Sequence, residues 1–324
     1  MPDTPLSCPS CGNFDHIVLR EDCRDLLCGC PGRWSLIECR HCGLVYTAPP
    51  VPLDELLNYY PANYTPYNPA GALRERKLGA LLRKMAMFPY RIRFGSPDWT
   101  ERPFGCGRLL DVGCGGGTFL HEASRQGWVT FGIDASDVAV KTAQRNAPSA
   151  SIRMATLDDL APDESFDYIN LQHVLEHLHD PRRALLQCYE HLAPGGKLRI
   201  NVPNYGGFES MIFGRSWIGL DMPRHLVHFR APVLQRLLLD VGFTNVVIRP
   251  AMFASSFSER LLLALPAGLR QRLLHSRFAR LLYLSMVFPA SVSYFFGNAG
   301  AIDVTAVRPQ ASSSGLKNKP AKEI

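Results

Sequence analysis

Four groups of residues in this chain have the types and spacing that chemistry requires. The stretch "LLDVGCGGGTFL" (109–120) sets the carboxylate of Asp111 two residues ahead of Gly113, with Gly115 and Gly117 close behind. A loop this bare lets a ligand approach the backbone and allows a tight turn. Asp134 follows twenty-three residues after Asp111. At the end of the next strand, a carboxylate there accepts the two hydroxyls of a ribose. A dinucleotide would bring its pyrophosphate to the helix start, where an acid repels it. Asp111 instead suits a nucleoside ligand that carries positive charge. The third group is "DMPRHLVHFR" (221–230). His225 is the first candidate for a general base and His228 the second, because imidazole changes charge near neutral pH. Arg224 offers a guanidinium fork to a phosphate or carboxylate on a substrate. A buried His225 that only braces its loop is the other reading, and both stand. The fourth group is cysteine. Cys8-x2-Cys11 and Cys39-x2-Cys42 each run into glycine, with twenty-seven residues between the pairs. Two such knuckles give four thiolates to one structural zinc ion and leave no open position. Cys23, Cys28 and Cys30 fit no ligand motif and read as spare thiols.

These residues need elements to position them. From residue 105 the pattern alternates between short apolar runs and amphipathic stretches. Strands are expected at 108–112, 129–135, 151–155, 166–172, 197–203, 244–250 and 301–309. Helices are expected at 118–127, 137–147, 181–193 and 231–243, with Ser136 as an N-cap and Pro181 in a first turn. Strand–helix alternation with apolar strands means a mostly parallel sheet covered on both faces. The fold class is therefore α/β: a Rossmann-like, doubly wound sheet of seven strands. A small zinc ribbon precedes it, and a hydrophobic helical insert comes before the last strand. The expected organisation is a ribbon over 1–48, then a proline- and tyrosine-rich linker with a basic helix over 49–104. The nucleoside-binding domain takes 105–250 plus 300–309, the insert 251–299 and a disordered tail 310–324. A short helix is expected near Asp54 to Tyr60 within the linker.

"LLDVGCGGG", "FGIDAS", "SFDYINLQHVLEHLHDP" and "LAPGGKLRINVPN" occur in that order and resemble the successive motifs of class I S-adenosylmethionine-dependent methyltransferases over about residues 105 to 250. The resemblance implies S-adenosyl-L-methionine as cofactor. It assigns Asp111 to the amino-acid end of that molecule, the Gly113–Gly117 backbone beneath it, and Asp134, with Ala135 beside it, to the ribose. Leu157, flanked by Thr156 and Asp158, would meet the adenine, although many relatives carry an acid where Thr156 stands. His173 would face the methionine part. Glu176 and His177 are expected to support the following helix rather than touch substrate. His225 with Phe229 is similar to the H-x-x-x-F pattern of ubiquinone-pathway O-methyltransferases and to the histidine of nucleotide-sugar C-methyltransferases. No N/D-P-P-Y stretch follows the fourth strand, which disfavours methylation of a base or amide nitrogen by that mechanism. The ribbon followed by "CGLVYTAPP" resembles bacterial methyltransferases of polysaccharide and sugar pathways. Tyr59, Tyr60, Tyr64 and Tyr67 would close over the cofactor or pack between domains, with packing preferred.

Totals narrow the choice further. The 324 residues carry 35 Lys and Arg against 29 Asp and Glu, a net +6, which is weak evidence for nucleic acid. Residues 1–48 hold four arginines, no lysine and six acids, so the ribbon is not a basic RNA-binding surface. The opening "MPDTPLSCPSCG" lacks a basic segment followed by an apolar one, so the expected location is the cytoplasm, with reduced thiols. Within the insert, "LLYLSMVFPASVSYFF" (281–296) is shorter than the roughly 20 residues of a membrane span. Peripheral membrane contact, a helical cover and a dimer face all remain readings of 251–299. The acceptor is expected to be a small molecule, a sugar or lipid-linked glycan intermediate. The rivals are an RNA methyltransferase that uses its ribbon to bind substrate, and a catalytically silent cofactor-binding protein. The methylated atom and the oligomeric state are open.

Overall fold

The structure, a computed structural model, describes residues 6–60, 106–251 and 296–310. The basic helix expected over 72–94, Tyr64 and Tyr67, most of the insert and the tail lie outside the described residues. Seven strands form the main sheet: β4 (Arg108–Val112), β5 (Val129–Asp134), β6 (Ser151–Met154), β7 (Phe166–Gln172), β8 (Leu192–Pro203), β10 (Thr244–Ala251) and β11 (Ala301–Val307). Their order is β10-β11-β8-β7-β4-β5-β6. The pairs β4–β5, β4–β7, β5–β6 and β7–β8 are parallel, and β11 runs antiparallel to both β8 and β10. This is the mostly parallel, doubly wound sheet that the sequence implies. Leu109, Ile169, Leu171 and Ile200 are wholly buried, as strands covered on both faces require.

The helices follow from caps and periodicity. Helix α2 (Thr118–Ser124) opens at the end of the glycine loop. In α3 (Asp137–Asn146) the Ser136 hydroxyl accepts from the Ala139 amide. In α4 (Pro181–His191) Asp180 caps the Arg183 amide and proline fills the first turn. Helix α6 (Ala231–Val241) closes on Gly242, whose φ of 113° only glycine adopts freely. The remaining helices are the short α1 (Leu53–Leu56) and α5 (Phe208–Phe213). The sequence reading placed no helix at α5.

The cysteine-rich unit departs from the expected separate domain. Strands β1 (His16–Cys23), β2 (Trp34–Cys39) and β3 (Val45–Ala48) form an antiparallel sheet, and a fourth strand, β9 (Val227–His228), comes from the far end of the chain beyond β8. Val45 pairs with His228 and Tyr46 with Val227. Leu36, Ile37, Leu44 and Val45 also belong to the same apolar core as Leu171, Ile200, Phe229 and Leu238. The segment holding His225 and His228 is therefore the seam between the two sheets. Among the described residues no helix is long and apolar enough to cross a membrane.

Candidate active site and cysteine centre

The sheet order changes direction at β4, between β7 and β5, and the glycine loop leaves the carboxyl end of β4. Such a switch point is where open α/β sheets take their ligands. Gly113 has φ 64°, and a Cβ on it would come within 2.5 Å of Val174. A Cβ on Gly117, φ 77°, would meet the Ala143 backbone at 2.9 Å. These two glycines thus serve close packing of the loop against the 173–177 turn and α3, as well as any ligand above. The Gly115 amide donates to Asp134 Oδ2 at 2.9 Å and the Ser136 amide to Oδ1 at 2.9 Å. Both Asp134 oxygens keep a lone pair for further donors. Burial raises the Asp134 carboxyl.

Asp111 is buried, and Asn170 donates to its Oδ1 at 2.7 Å. Burial pushes its carboxyl up to about 7, against the bond from Asn170. A cationic ligand requires the ionised form. Affinity for S-adenosylmethionine is therefore expected to rise with pH through about 7, and binding below that point should release a proton. Calorimetry in buffers of different ionisation enthalpy reads both effects. Asp111→Asn should flatten the profile, and Asp134→Ala should abolish binding.

The adenine-side candidates lie on the turn after β6. The Thr156 hydroxyl donates to Asp159 Oδ2 at 2.8 Å, which leaves its oxygen as an acceptor. Leu157 is buried, and Asp158 is held by Arg183 at 2.5 Å and Gln187 at 2.7 Å. Ala135 is exposed beside Asp134. His173, with φ 55°, ends β7 and bonds Glu176 Oε1 through Nδ1 at 3.2 Å.

Glu176 lies in the turn after β7. It is buried among His173, His177 and His225, and its Oε2 has no hydrogen-bond partner among the described residues. Burial alone would raise this carboxyl. The bond from His173 and the surrounding imidazoles outweigh that and hold it at about 2. His177 Nδ1 lies 2.9 Å from the Arg224 carbonyl and 3.0 Å from the Tyr60 hydroxyl. Tyr60 thus reaches the site, whereas Tyr59 packs edge-on against Trp34.

The partners fix where the protons sit. A carbonyl only accepts, so the Nδ1 of His225, 2.9 Å from the Gly219 carbonyl, carries hydrogen. Its Nε2 keeps the lone pair and lies 3.9 Å from Glu176 Oε1 and 3.9 Å from Asp221 Oδ2. The Thr47 hydroxyl donates to the His225 carbonyl at 2.7 Å, so it accepts from His228 Nε2 at 3.0 Å. The Nε2 of His228 is therefore a donor, and burial pushes that ring down to about 3. Burial, with His225 beside it, likewise takes His177 down to about 4. Of the two proposed bases, His225 is the one with carboxylates 3.9 Å from its unprotonated nitrogen. The ligand atoms of Glu176, His177 and His225 lie within 4.8 Å of one another, a cation-sized gap. A cation there would take the lone pair a base needs, so the two roles exclude each other.

Arg224 does not fit the expected substrate fork. It is wholly buried, and all five N–H groups are used: two on Asp25 (3.0 and 2.7 Å), two on Asp221 (3.0 and 2.5 Å) and one on the Tyr59 carbonyl (2.9 Å). Asp25 lies 199 residues away in sequence, and no local pattern signals the pair. Arg224→Ala should leave two buried carboxylates uncompensated and cost about 3–5 kcal/mol of stability, rather than raise an acceptor's Michaelis constant. Denaturant unfolding followed at one pH measures it.

The cysteines converge as their spacing implies. Cys8 and Cys42 Sγ lie 3.5 Å apart, Cys11 and Cys39 Sγ 3.6 Å apart, and all four sulfurs are within 4.8 Å of one another. Zinc–thiolate bonds of about 2.3 Å in a tetrahedron place sulfurs about 3.8 Å apart. Each knuckle closes with a glycine amide on the first cysteine's carbonyl, Gly12 on Cys8 at 2.9 Å and Gly43 on Cys39 at 2.8 Å. Cys23 stands opposite Trp34, whereas Cys39 stands opposite His16 at the other end of β1. All ten cysteines are free of disulfides.

The methyltransferase domain family model matches residues 72–248, more than half of the chain. The chain belongs to the methyltransferase domain family. A ubiquinone biosynthesis O-methyltransferase of Xanthomonas oryzae pv. oryzae is 33% identical over 131 residues, 38% of this chain and 55% of that protein. One from Xanthomonas euvesicatoria pv. vesicatoria is 30% identical over 153 residues, 45% of this chain and 63% of that protein. This methyltransferase-family chain thus spans little more than half the length of the curated relatives it matches. A solved S-adenosylmethionine-dependent methyltransferase of Thermotoga maritima superposes with a TM-score of 0.46 at 16% identity, covering 70% of this chain and 92% of that one.

Proposed function

We propose that this protein transfers a methyl group from S-adenosylmethionine to a small molecule that must lose a proton to react, a hydroxyl or a carbon acid. The observation that carries the reading is His225: its Nδ1 is tied to the Gly219 carbonyl, and its Nε2 lies 3.9 Å from the carboxylates of Glu176 and Asp221. The cofactor supplies an electrophilic methyl on a sulfonium. Asp111, Asp134, His173 and the backbone of Gly113 to Gly117 hold and orient it, with Thr156, Leu157 and Asp158 on the adenine side. His225 Nε2 would take the acceptor proton as the acceptor oxygen or carbon bonds to the methyl, and the broken methyl–sulfur bond would leave the cofactor as a neutral thioether. The carboxylates of Glu176 and Asp221 stabilise the imidazolium. Tyr60 and His177 line the same space.

The acceptor class we favour is a sugar or lipid-linked glycan intermediate, supported by the ribbon and "CGLVYTAPP" pattern. The "ubiquinone biosynthesis O-methyltransferase" relatives support a small-molecule acceptor in general. The four thiolates of Cys8, Cys11, Cys39 and Cys42 fit a structural zinc ion, supported by their sulfur separations. The deciding experiment supplies methyl-labelled cofactor and purified protein to the small-molecule fraction and, separately, to the RNA fraction of an extract from a strain lacking the gene. Mass spectrometry should find a small product heavier by one labelled methyl. Label in RNA would favour the ribbon-guided nucleic-acid reading. Cofactor binding with no label transferred to either fraction would favour a silent binding protein.

A further inference from the structure

We infer that the cysteine-rich unit completes the active site, with Asp25 and Thr47 as positioning residues that fix His225 through Arg224 and through its own carbonyl. The inference rests on the assignment of His225 as base.

Asp25 sits in the turn between β1 and β2 and is itself locked. Its Oδ1 accepts the Leu27 and Cys28 amides at 3.0 and 2.9 Å, and its Oδ2 the Cys30 amide at 3.1 Å. The same two oxygens take two of the five Arg224 donors. Both side chains have no exposed surface. A buried ion group of this kind is a poor way to gain stability alone, because apolar side chains of similar volume do as well. It does fix geometry. The Arg224 carbonyl orients His177, and Arg224 and Asp221 together hold the turn from which His225 projects. Asp221 has φ 33°, and its carbonyl accepts the His225 amide at 3.0 Å.

Thr47 grips the same segment from β3. Its amide donates to the Leu226 carbonyl at 2.9 Å, its hydroxyl donates to the His225 carbonyl, and it accepts from His228. On the far side the Leu226 amide donates to the Glu176 carbonyl at 2.8 Å. The histidine is thus clamped between the ribbon and the turn after β7. The glycine loop and Asp134 belong to the other end of the site and touch neither Asp25 nor Thr47 in these bonds.

A double-mutant cycle on turnover tests this. Full-length D25N, T47V, H225A, D25N/H225A and T47V/H225A are assayed with saturating labelled cofactor and the small-molecule extract described above. Rates are expressed per cofactor-binding molecule, counted by calorimetry. D25N and T47V should each lower the rate about 10- to 100-fold with cofactor affinity unchanged, as misplacing a reacting group does. Neither should lower it further in the H225A background. An equal loss in both backgrounds, the signature of a structural role, overturns the inference. Wild-type rates in both single variants overturn it too. A fully active H225A overturns the base assignment itself, and is distinguishable because D25N and T47V are then read against an intact rate. If D25N fails to bind cofactor, the near-isosteric T47V decides alone.

Discussion

His225→Ala is expected to lower turnover by about 10²- to 10⁴-fold while leaving cofactor affinity nearly intact. The separation follows from where the bonds lie. His225 is tied to Gly219, Glu176 and Asp221, whereas Asp111, Asp134 and the glycine loop gather around β4 and β5; His173, through its bond to Glu176, is where the two groups meet. The neighbouring groups cannot substitute. Burial takes His177 down to about 4 and His228 down to about 3, so both are weaker bases than an ordinary imidazole, and the Nε2 of His228 donates to Thr47. Glu176, held at about 2, is ionised throughout and too weak a base to replace an imidazole. A brace alone would behave differently: turnover would fall in step with the folded fraction. A stable and fully active variant would remove this histidine from the mechanism and leave proximity as the catalyst.

Cys39→Ser should lose the zinc, of which metal analysis of the wild type is expected to find about one equivalent. The consequence should reach well beyond the knuckles. Strand β2 ends at Cys39, and β3 follows after the second knuckle, so loosening this centre releases Thr47 and the pairing of Val45 with His228. A unit of about 50 residues seldom folds unaided. Here part of its core is shared with the main sheet, so the protein body should persist while the His225 clamp is lost. Methyl transfer should then fall with zinc content while cofactor binding survives. Zinc retained in Cys39→Ser would point to other ligands. Cys23 is a poor one, since seven residues of extended strand, about 23 Å, separate it from His16 at the knuckle end.

The main sheet was legible because its signals are local. Apolar runs that follow glycine mark β4 and β5, one after a polar turn marks β7, and the cap at Ser136 and the proline at 181 mark helix starts to within a residue. The cysteine knuckles were legible for the same reason. What escaped depends on partners distant in sequence. Strand β9 is two residues long and exists only because β3 lies beside it. Arg224 reads as a free cation until Asp25 and Asp221 are seen around it. Glu176 sits in a helix-start pattern, and only the convergence of three histidines gives it another role. Helix α5 leaves Phe208, Met211 and Ile212 exposed, so it offers no buried stripe to read.

Strands β10 and β11 are zipped antiparallel, and Ala251 stands directly opposite Ala301. The chain between them therefore leaves and re-enters the sheet at one point. Its loop ends are closed already, so lengthening it adds only about 0.6 kcal/mol of closure entropy per doubling. Replacing it with a two-residue hairpin turn should likewise leave the register of the sheet intact. The fold thus carries a socket at its edge into which segments of different length and character fit, separate from the elements that meet the cofactor. Descent with change could swap that piece while the strand pairing on either side of it stayed the same.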